Sequence, residues 1–576
     1  MNRTFRELDG RRFDLLIVGG GIFGACAAWD ATLRGLAVAL VEQADFGSGA
    51  SANSFKIVHG GIRYLQHADV VRLRASCHER SALLRIAPHL VTPLPIAIPT
   101  YGHGRKGKAV LAAGMWLYDA LTIDRNRGIA DPARHIPWSG LLAAREVRAL
   151  FPGIEERGLS GAAVFCDGQM YNPPRLVLAF LRSAAARGAV IVNYAEAEGL
   201  LRSGDEVEGA RVRDRVGGDS IEVRARAVLN AGGGWVPWFA RREGMPLANA
   251  GAFSRDAYFV VPRRFPHGYG VALQGRTRDP DAIFARAARH LFLVPWRGYT
   301  LCGVWHRVWK EPPESVHVAQ QEIAAFVDEL NEAMPGLELD VDEACLWNAG
   351  LVPFGDNEEG AEDLRYGKRS HLIDHAHDGG ARNLVSLIGV RYTMARGDAA
   401  DAVDLVCAKL GERRARPATE RIPLAGAQFG SFNTLVDAVQ ADARASTTPA
   451  PSPLSREAAE ALAHNYGSDY RSVLDLGARK LGSLACIDRS TTLRAEITHA
   501  IRDEMAVRLS DIVFRRTDLA SGGHPGRAAL EDAASLAAAE LGWSAAKRNA
   551  ELAEVERRLE LGAPIEEAAR SVRGAG

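Results

Sequence analysis

The sequence predicts an α/β chain that carries a second β-rich part and a helical C-terminal part. Three observations support this. A strand, a glycine turn, a helix and a second strand open the chain. Strand-like and helical stretches then alternate to about residue 410. The last part turns Ala-, Glu-, Arg- and Leu-rich with helical spacing.

Residues 13–18 (FDLLIV) read as a short buried strand. A glycine cluster and a helical stretch follow, then a second strand, LAVALVE, ending at Glu42; together they make a βαβ unit. Farther on, 221–233 (IEVRARAVLNAGG) and 383–390 (NLVSLIGV) read as strands that end in glycine turns. The runs 257–262 (AYFVVP) and 290–296 (HLFLVPW) read as strands of a second sheet, and 399–410 as helix. Residues 445–453 (ASTTPAPSP) mark a linker or long loop. This places a large catalytic part at 1–410, a connector at 411–455 and a helical domain at 456–576.

At 576 residues the chain is long enough for two or three domains. Its 70 basic and 70 acidic residues cancel, so no global basic field points to nucleic acid. Seven scattered cysteines without a CxxC pair argue against a disulfide framework or metal site and for a reducing compartment. The N-terminus lacks an apolar signal core. The longest apolar run, 109–123, is broken by Asp119 and falls short of the roughly 20 residues that span a bilayer. A cytoplasmic protein is expected.

The sharpest local signal is Gly19-x-Gly21-x-x-Gly24 between the first strand and helix. The first glycine permits the tight turn, the second lets backbone approach a pyrophosphate, and the third lets helix pack closely on strand. The helix N-terminus then offers N–H groups and partial positive charge to phosphates. Glu42, eighteen residues after Gly24, is placed to accept hydrogen bonds from a ribose diol. These features predict a Rossmann-like dinucleotide site, but by themselves do not separate FAD from NAD.

Residues 51–65 (SANSFKIVHGGIRYL) resemble the flavin-contacting segment of the FAD-dependent glycerol-3-phosphate dehydrogenases, within the D-amino-acid-oxidase-like flavoproteins. Three further segments agree in order: Asn230-Ala231-Gly232-Gly233-Gly234-Trp235, Gly389-Val390-Arg391-Tyr392-Thr393, and 500–520 (AIRDEMAVRLSDIVFRRTDLA). The resemblance implies an FAD-binding domain interleaved with a mixed-sheet substrate domain, whose cap sheet lies at about 75–190 and 245–350. It implies FAD as cofactor. Ser51, Ser54 and Lys56 would bond its phosphates or ring, and His59 and Gly60 would lie beside the flavin. Ala197 would meet adenine through its backbone, and Gly232 would lie beside the adenosine half. Gly389, Arg391, Tyr392 and Thr393 would sit at the pyrimidine edge, where a cation stabilises negative charge on the ring. Outside this ordered company, Ser51 and Ser54 would be ordinary loop residues and Lys56 a surface lysine.

The implied reaction is oxidation of an alcohol carbon, with electrons passing on to a quinone in most of the family or to oxygen in some members. Arg63 and Tyr64 would face the substrate, Arg63 offering its planar fork to an anionic group. The chain departs from the family pattern where substrate binds. Val352 replaces a phosphate-binding arginine, Tyr258 replaces an active-site histidine, and Arg391 replaces a lysine. A lost charge-assisted bond is worth about 1.5–3 kcal/mol, or about 10- to 100-fold in affinity. The resemblance matches a second phosphate arginine to Lys368 or Arg369. Either another cation compensates for the one lost at Val352, with Arg297 and Arg391 as candidates, or the substrate is a different alcohol or amine. His306 and Tyr258 are candidates for proton transfer. The partners implied are a small-molecule substrate and a quinone or other electron acceptor. An apolar stretch within 102–128, flanked by Arg105, Lys106, Lys108, Arg125 and Arg127, suits peripheral contact at the inner face of a membrane; a homodimer is also compatible.

Overall fold

The structure, a computed structural model, describes residues 1–102, 108–245, 247, 253–278, 288–353, 369–376, 380–445, 453–479 and 482–560. Strand β1 (Arg12–Val18), helix α1 (Ile22–Leu33) and strand β2 (Val38–Val41) form the opening βαβ unit. Leu15, Leu16 and Ile17 are wholly buried, because β1 is covered on both faces.

β1 is central in an eight-stranded sheet ordered His371–Asp374, Leu384–Ile388, Ser220–Asn230, β1, β2, Val190–Val192. The four strands from Ser220–Asn230 to Val190–Val192 run parallel, as does Leu384–Ile388. The hairpin Ala195–Ser203 and Glu206–Asp214 joins through the first half of Ser220–Asn230. Strand order therefore reverses at β1, and the crevice beyond its C-terminal end is where such sheets bind ligands.

α1 lies between helices Pro173–Ala185 and Ala395–Lys409. Its buried residues include the small Gly24, Ala25, Ala27, Ala28 and Ala31, which let it sit close to the sheet. The closest approach is at Gly24, where a Cβ would stand 1.9 Å from the Gly19 carbonyl oxygen.

A second, nine-stranded sheet forms the other half of the catalytic part. Its order runs Leu346–Pro353, Phe253–Pro262, Tyr299–Trp309, Ala288–Trp296, Gly270–Arg278, Val91–Tyr101, Leu159–Met170, Ile57–Val58, with Gly140–Ala143 paired to Leu159–Met170 as the ninth strand. The short strand Ile57–Val58 ties the segment after β2 into this sheet, so the sheet begins earlier in the chain than residue 75. Apolar residues on one face of this sheet pack under the C-terminal helices, sharing a core with Ile497, Leu509, Ile512 and Leu530.

The stretch expected as a connector carries helix Phe432–Ala445, whose Leu435, Val436 and Val439 pack with Leu462 and Tyr466 of helix Arg456–Tyr466. The helical region thus begins before residue 456, because this amphipathic face needs a partner. The residues 500–520, expected as one helical cap, break at Met505, whose backbone is left-handed, and resume as a short turn and a π-helical segment, Ile512–Arg516.

That segment carries the contact that locks the C-terminal helices to the dinucleotide sheet. Asp45, in the loop after β2, accepts from Arg516 at 2.6 and 2.7 Å and from Arg515 at 2.6 Å. Arg515 also bonds Asp511, which accepts from the Tyr194 hydroxyl at 2.7 Å. Burial by itself would push the Asp45 carboxyl up; the guanidinium groups of Arg516 and Arg515 outweigh it and hold it down to about 2.

Asp45→Ala leaves two buried guanidinium groups without their shared anion, and is expected to destabilise the protein by about 3–5 kcal/mol in denaturant melts. Because the folded pKa is depressed, the contribution is complete above about pH 4 and is lost as pH falls towards 2. The wild-type advantage over the variant should shrink over that window. Separately, Gly24→Ala must lift α1 off β1 at a cost of about 1–3 kcal/mol. Purified variant protein is expected to retain less dinucleotide, read as the ratio of cofactor to protein absorbance.

Candidate active site

A cavity of about 1420 Å³ runs from the C-terminal end of β1 to the face of the second sheet. Ordinary ligand pockets hold about 300–1,000 Å³, so this one has room for a dinucleotide together with a substrate.

At the β1 end the wall is built by the fingerprint. Gly19 has φ +109°, and a Cβ there would press on the Ala231 carbonyl at 2.7 Å. The Glu42 carboxylate accepts from Gly20 N–H at 2.6 Å and Ala44 N–H at 2.9 Å, which fixes it at the mouth of the β2 end. Ser51 Oγ accepts from Ile22 N–H at 3.0 Å, across the N-terminus of α1. Gly21, Ala197 and Gly232 also line this end. The Ala197 carbonyl is occupied by Arg242, at 2.8 Å. Gly24 lies off the wall and serves packing.

The middle carries a buried polar atom without a partner, the Ser54 hydroxyl. Such an atom fits a bound group that supplies its hydrogen bond. Gly389 lies on the opposite wall, where a Cβ would strike the Phe23 ring at 1.9 Å. These residues fit FAD. Ser51, Ser54 and the N-terminus of α1 would hold its phosphates, Glu42 its ribose, and the turn Gly389–Thr393 its ring.

At the far end His59 and Thr393 meet, the His59 N–H donating to Thr393 Oγ1 at 3.0 Å. His59 Nδ1 lies 3.2 Å from Asp167, which also accepts from Gly60 N–H at 2.6 Å. Burial works to raise the Asp167 carboxyl, but His59 and Arg80 bring it below its ordinary value. Gly60 itself faces Arg80, not the cavity; a Cβ there would lie 2.1 Å from the Arg80 guanidinium. The Tyr392 hydroxyl donates to the Pro173 carbonyl at 3.0 Å.

Two clusters suit an anionic alcohol. The first is cationic. Arg391 donates to the Tyr64 hydroxyl and lies over its ring, 5.2 Å from the centroid, while Arg72 covers the same ring at 4.9 Å. Arg63 lines the cavity beside them. Burial and Arg63 push His290, also on this wall, down to about 4, so it adds no charge at neutral pH.

The second cluster is a histidine–carboxylate pair. His306 Nδ1 lies 2.8 Å from Asp256 Oδ1, and Asp256 accepts from Ser254 Oγ at 2.5 Å. Asp256 and His306 face each other across neighbouring antiparallel strands. Tyr258 lies two residues on from Asp256, and burial pushes its phenol up.

Several expected site residues lie elsewhere. Lys56 is buried behind the cavity wall, its ammonium bonded to the Tyr258 hydroxyl and lying over the Trp296 ring, 4.6 Å from the centroid. Its backbone is left-handed, φ +63°, which turns the side chain away while Phe55 and Ile57 face the cavity. Arg297 pairs with Asp518 and bonds Ser521 at 2.6 Å, tying the second sheet to the C-terminal helices, so it is no replacement for the arginine missing at Val352. Arg369 is exposed and off the wall; Lys368 lies outside the described residues. Val352 does line the cavity. Asp167, Asp256 and Arg72 escaped sequence reasoning; for Asp256 the signal existed only as strand register.

Residues 14–405 match the FAD-dependent oxidoreductase family, and 417–548 match the C-terminal domain of alpha-glycerophosphate oxidase. The chain is 31% identical to a glycerol-3-phosphate dehydrogenase of Synechocystis sp., covering 90% of this chain and 91% of that one. It is 30% identical to a glycerol-3-phosphate dehydrogenase of Mycobacterium leprae, covering 97% and 90%. The solved glycerol-3-phosphate dehydrogenase of Bacillus halodurans, complexed with FAD, superposes with a TM-score of 0.74 at 22% identity, over 98% of this chain and 97% of that one, and so shares the fold. The substitutions at Val352 and Tyr258 leave this relationship intact. The chain belongs to the FAD-dependent glycerol-3-phosphate dehydrogenase family and is a flavoprotein oxidoreductase acting on CH–OH.

Proposed function

We propose that the protein oxidises glycerol 3-phosphate at its secondary alcohol. The observation that carries this is one cavity holding a guanidinium-rich end, Arg63, Arg72 and Arg391, and a histidine–carboxylate pair, His306 and Asp256. The cationic end binds the phosphate, with Arg391 and Arg63 supplying the charge that Val352 does not. Tyr64, held between Arg391 and Arg72, fixes the geometry of that end.

FAD, when bound, supplies the two-electron acceptor for the C–H hydride. The chain's own residues handle the proton. Asp256 holds His306 by Nδ1, and the other ring nitrogen, Nε2, takes the hydroxyl proton. Tyr258 is a poor base because burial keeps its phenol protonated; backed by Lys56, it donates to the substrate oxygen and orients it.

Anaerobic addition of glycerol 3-phosphate should bleach the flavin absorbance of the purified protein. Bleaching by other alcohols or amines but not by glycerol 3-phosphate would reject the assignment. His306→Gln is expected to slow bleaching by about 10²- to 10⁴-fold with little change in half-saturation. Arg391→Met should instead raise half-saturation by about 10- to 100-fold.

We further propose a quinone at a membrane surface as electron acceptor. No helix among the described residues is long and apolar enough to cross a membrane. The surface instead exposes Trp116 (69%), Leu117 (51%), Ile123 (72%) and Trp138 (63%). Leu117 also lines the cavity, beside Leu111, Met115 and Leu65, so an apolar route joins this surface to the interior. Of the basic flanks, Arg125 is buried, bonding helix carbonyls and lying over Trp138 at 4.3 Å; Arg127 is exposed, and Arg105, Lys106 and the Lys108 side chain lie outside the described residues. Trp116→Glu combined with Ile123→Glu should reduce co-sedimentation with anionic vesicles and lower the quinone-linked rate, while the rate with a soluble dye acceptor stays unchanged. An equal loss of both rates would count against the membrane route.

A further inference from the structure

A second cavity, of about 120 Å³, lies where the loop after β2, the second sheet and the C-terminal helices meet. Ala44, Ser48 and Asn53 line both this cavity and the larger one, so the two share a wall.

Its lining is unusual in charge. Lys56, Arg508, Arg515, Arg557 and Arg558 face it, against the acids Asp45 and Glu554. Asp45 is already committed to Arg515 and Arg516, and Glu554 lies 3.3 Å from Arg508. Arg558 donates to the Trp347 carbonyl at 3.0 Å. Lys56 has no such arrangement. Among the described residues no carboxylate stands within ion-pair distance of its ammonium, whose partners are a phenol and two aromatic rings. A buried ammonium without an anion is costly. The second orphan is Asn348, 6% exposed, whose carboxamide NH₂ has no hydrogen-bond partner although its oxygen faces Arg558 at 3.5 Å. Two buried donors, each lacking the acceptor its chemistry calls for, therefore line one small basic chamber.

We propose that this chamber binds a small oxyanion, through phosphate or carboxylate oxygens held by Lys56 and Asn348 and screened by the surrounding arginines. The volume admits an ion of that size and excludes a nucleotide. Burial and the neighbouring Arg297 push Lys56 down to about 7, which is the direction an anion would reverse. Occupancy would also reach the larger cavity, because Lys56 bonds the hydroxyl of Tyr258, which lines that cavity. The site itself does not depend on which alcohol is oxidised.

Crystals of the FAD-loaded protein soaked in selenate, a phosphate mimic with an anomalous signal, test this directly. Anomalous density in hydrogen-bonding contact with Lys56 Nζ and Asn348 Nδ2 is expected. Density confined to the larger cavity, or none, would overturn the proposal. In solution, inorganic phosphate and acetate are titrated separately against the melting temperature of the FAD-loaded protein. A response to either that the chamber variants weaken supports the site and tells which oxygen chemistry it takes. Asn348→Leu, and Arg557→Ala at the exposed rim, lie outside the larger cavity and should each raise the half-saturating concentration by about tenfold or more. Stabilisation unchanged in the exposed Arg557→Ala variant, which removes no buried group, would assign the effect to the catalytic cavity and reject the proposal. None of these readouts involves turnover, so failure here is separable from failure of the substrate assignment.

Discussion

The ion pair between Asp45 and the two guanidinium groups of Arg515 and Arg516 positions much of what surrounds it. Asp45 sits in the segment from Glu42 to His59, which carries Glu42, Ser51 across the helix N-terminus, Ser54, Lys56 and His59. One face of that segment lines the large cavity and the other meets the C-terminal helices. A segment of this kind, with few main-chain ladder bonds of its own, keeps its shape through what packs behind it. The helical region therefore acts as a buttress for cofactor binding as well as a cap on the second sheet. Its charge is paid for within the protein, because both partners are buried and neither can return to water without unfolding the junction.

The cavity combines contributions that arise far apart in the chain. The dinucleotide end comes from the parallel sheet, whose strand order reverses at β1. The reacting end comes from the second sheet, where neighbouring antiparallel strands bring Asp256 and His306 face to face. The cationic end comes from the turn before helix Val70–Ile86 and the turn after strand Leu384–Ile388. On the proposed reading, the positive charge pooled around Tyr64 offsets the arginine replaced by Val352.

Lys56 links the two chambers. Its left-handed backbone points the ammonium behind Tyr258, into a basic junction between three parts of the fold. An anion in the proposed chamber would act on Tyr258 through the hydrogen bond from Lys56.

The chain's local patterns were sufficient for the βαβ unit, the glycine fingerprint with Glu42, the strands ending at Asn230 and Ile388, and the helical character of the C-terminal part. Each depends on neighbours in sequence: periodic burial, a turn that needs glycine, a helix that begins where the turn ends. Those patterns brought Arg63, Tyr64, His306 and Arg391 to attention only through the family resemblance they carry. They could not say which charged residue faces which space. Lys56, Arg297 and Arg125 look alike as exposed cations in sequence, yet one backs a phenol, one pairs with Asp518 and one closes helix carbonyls. Only the tertiary structure decided these, and it paired Asp256 with His306 and left the Ser54 hydroxyl and the Asn348 carboxamide NH₂ without partners, because a side chain's neighbours are set by strand register and domain packing across tens to hundreds of residues, which no local pattern encodes.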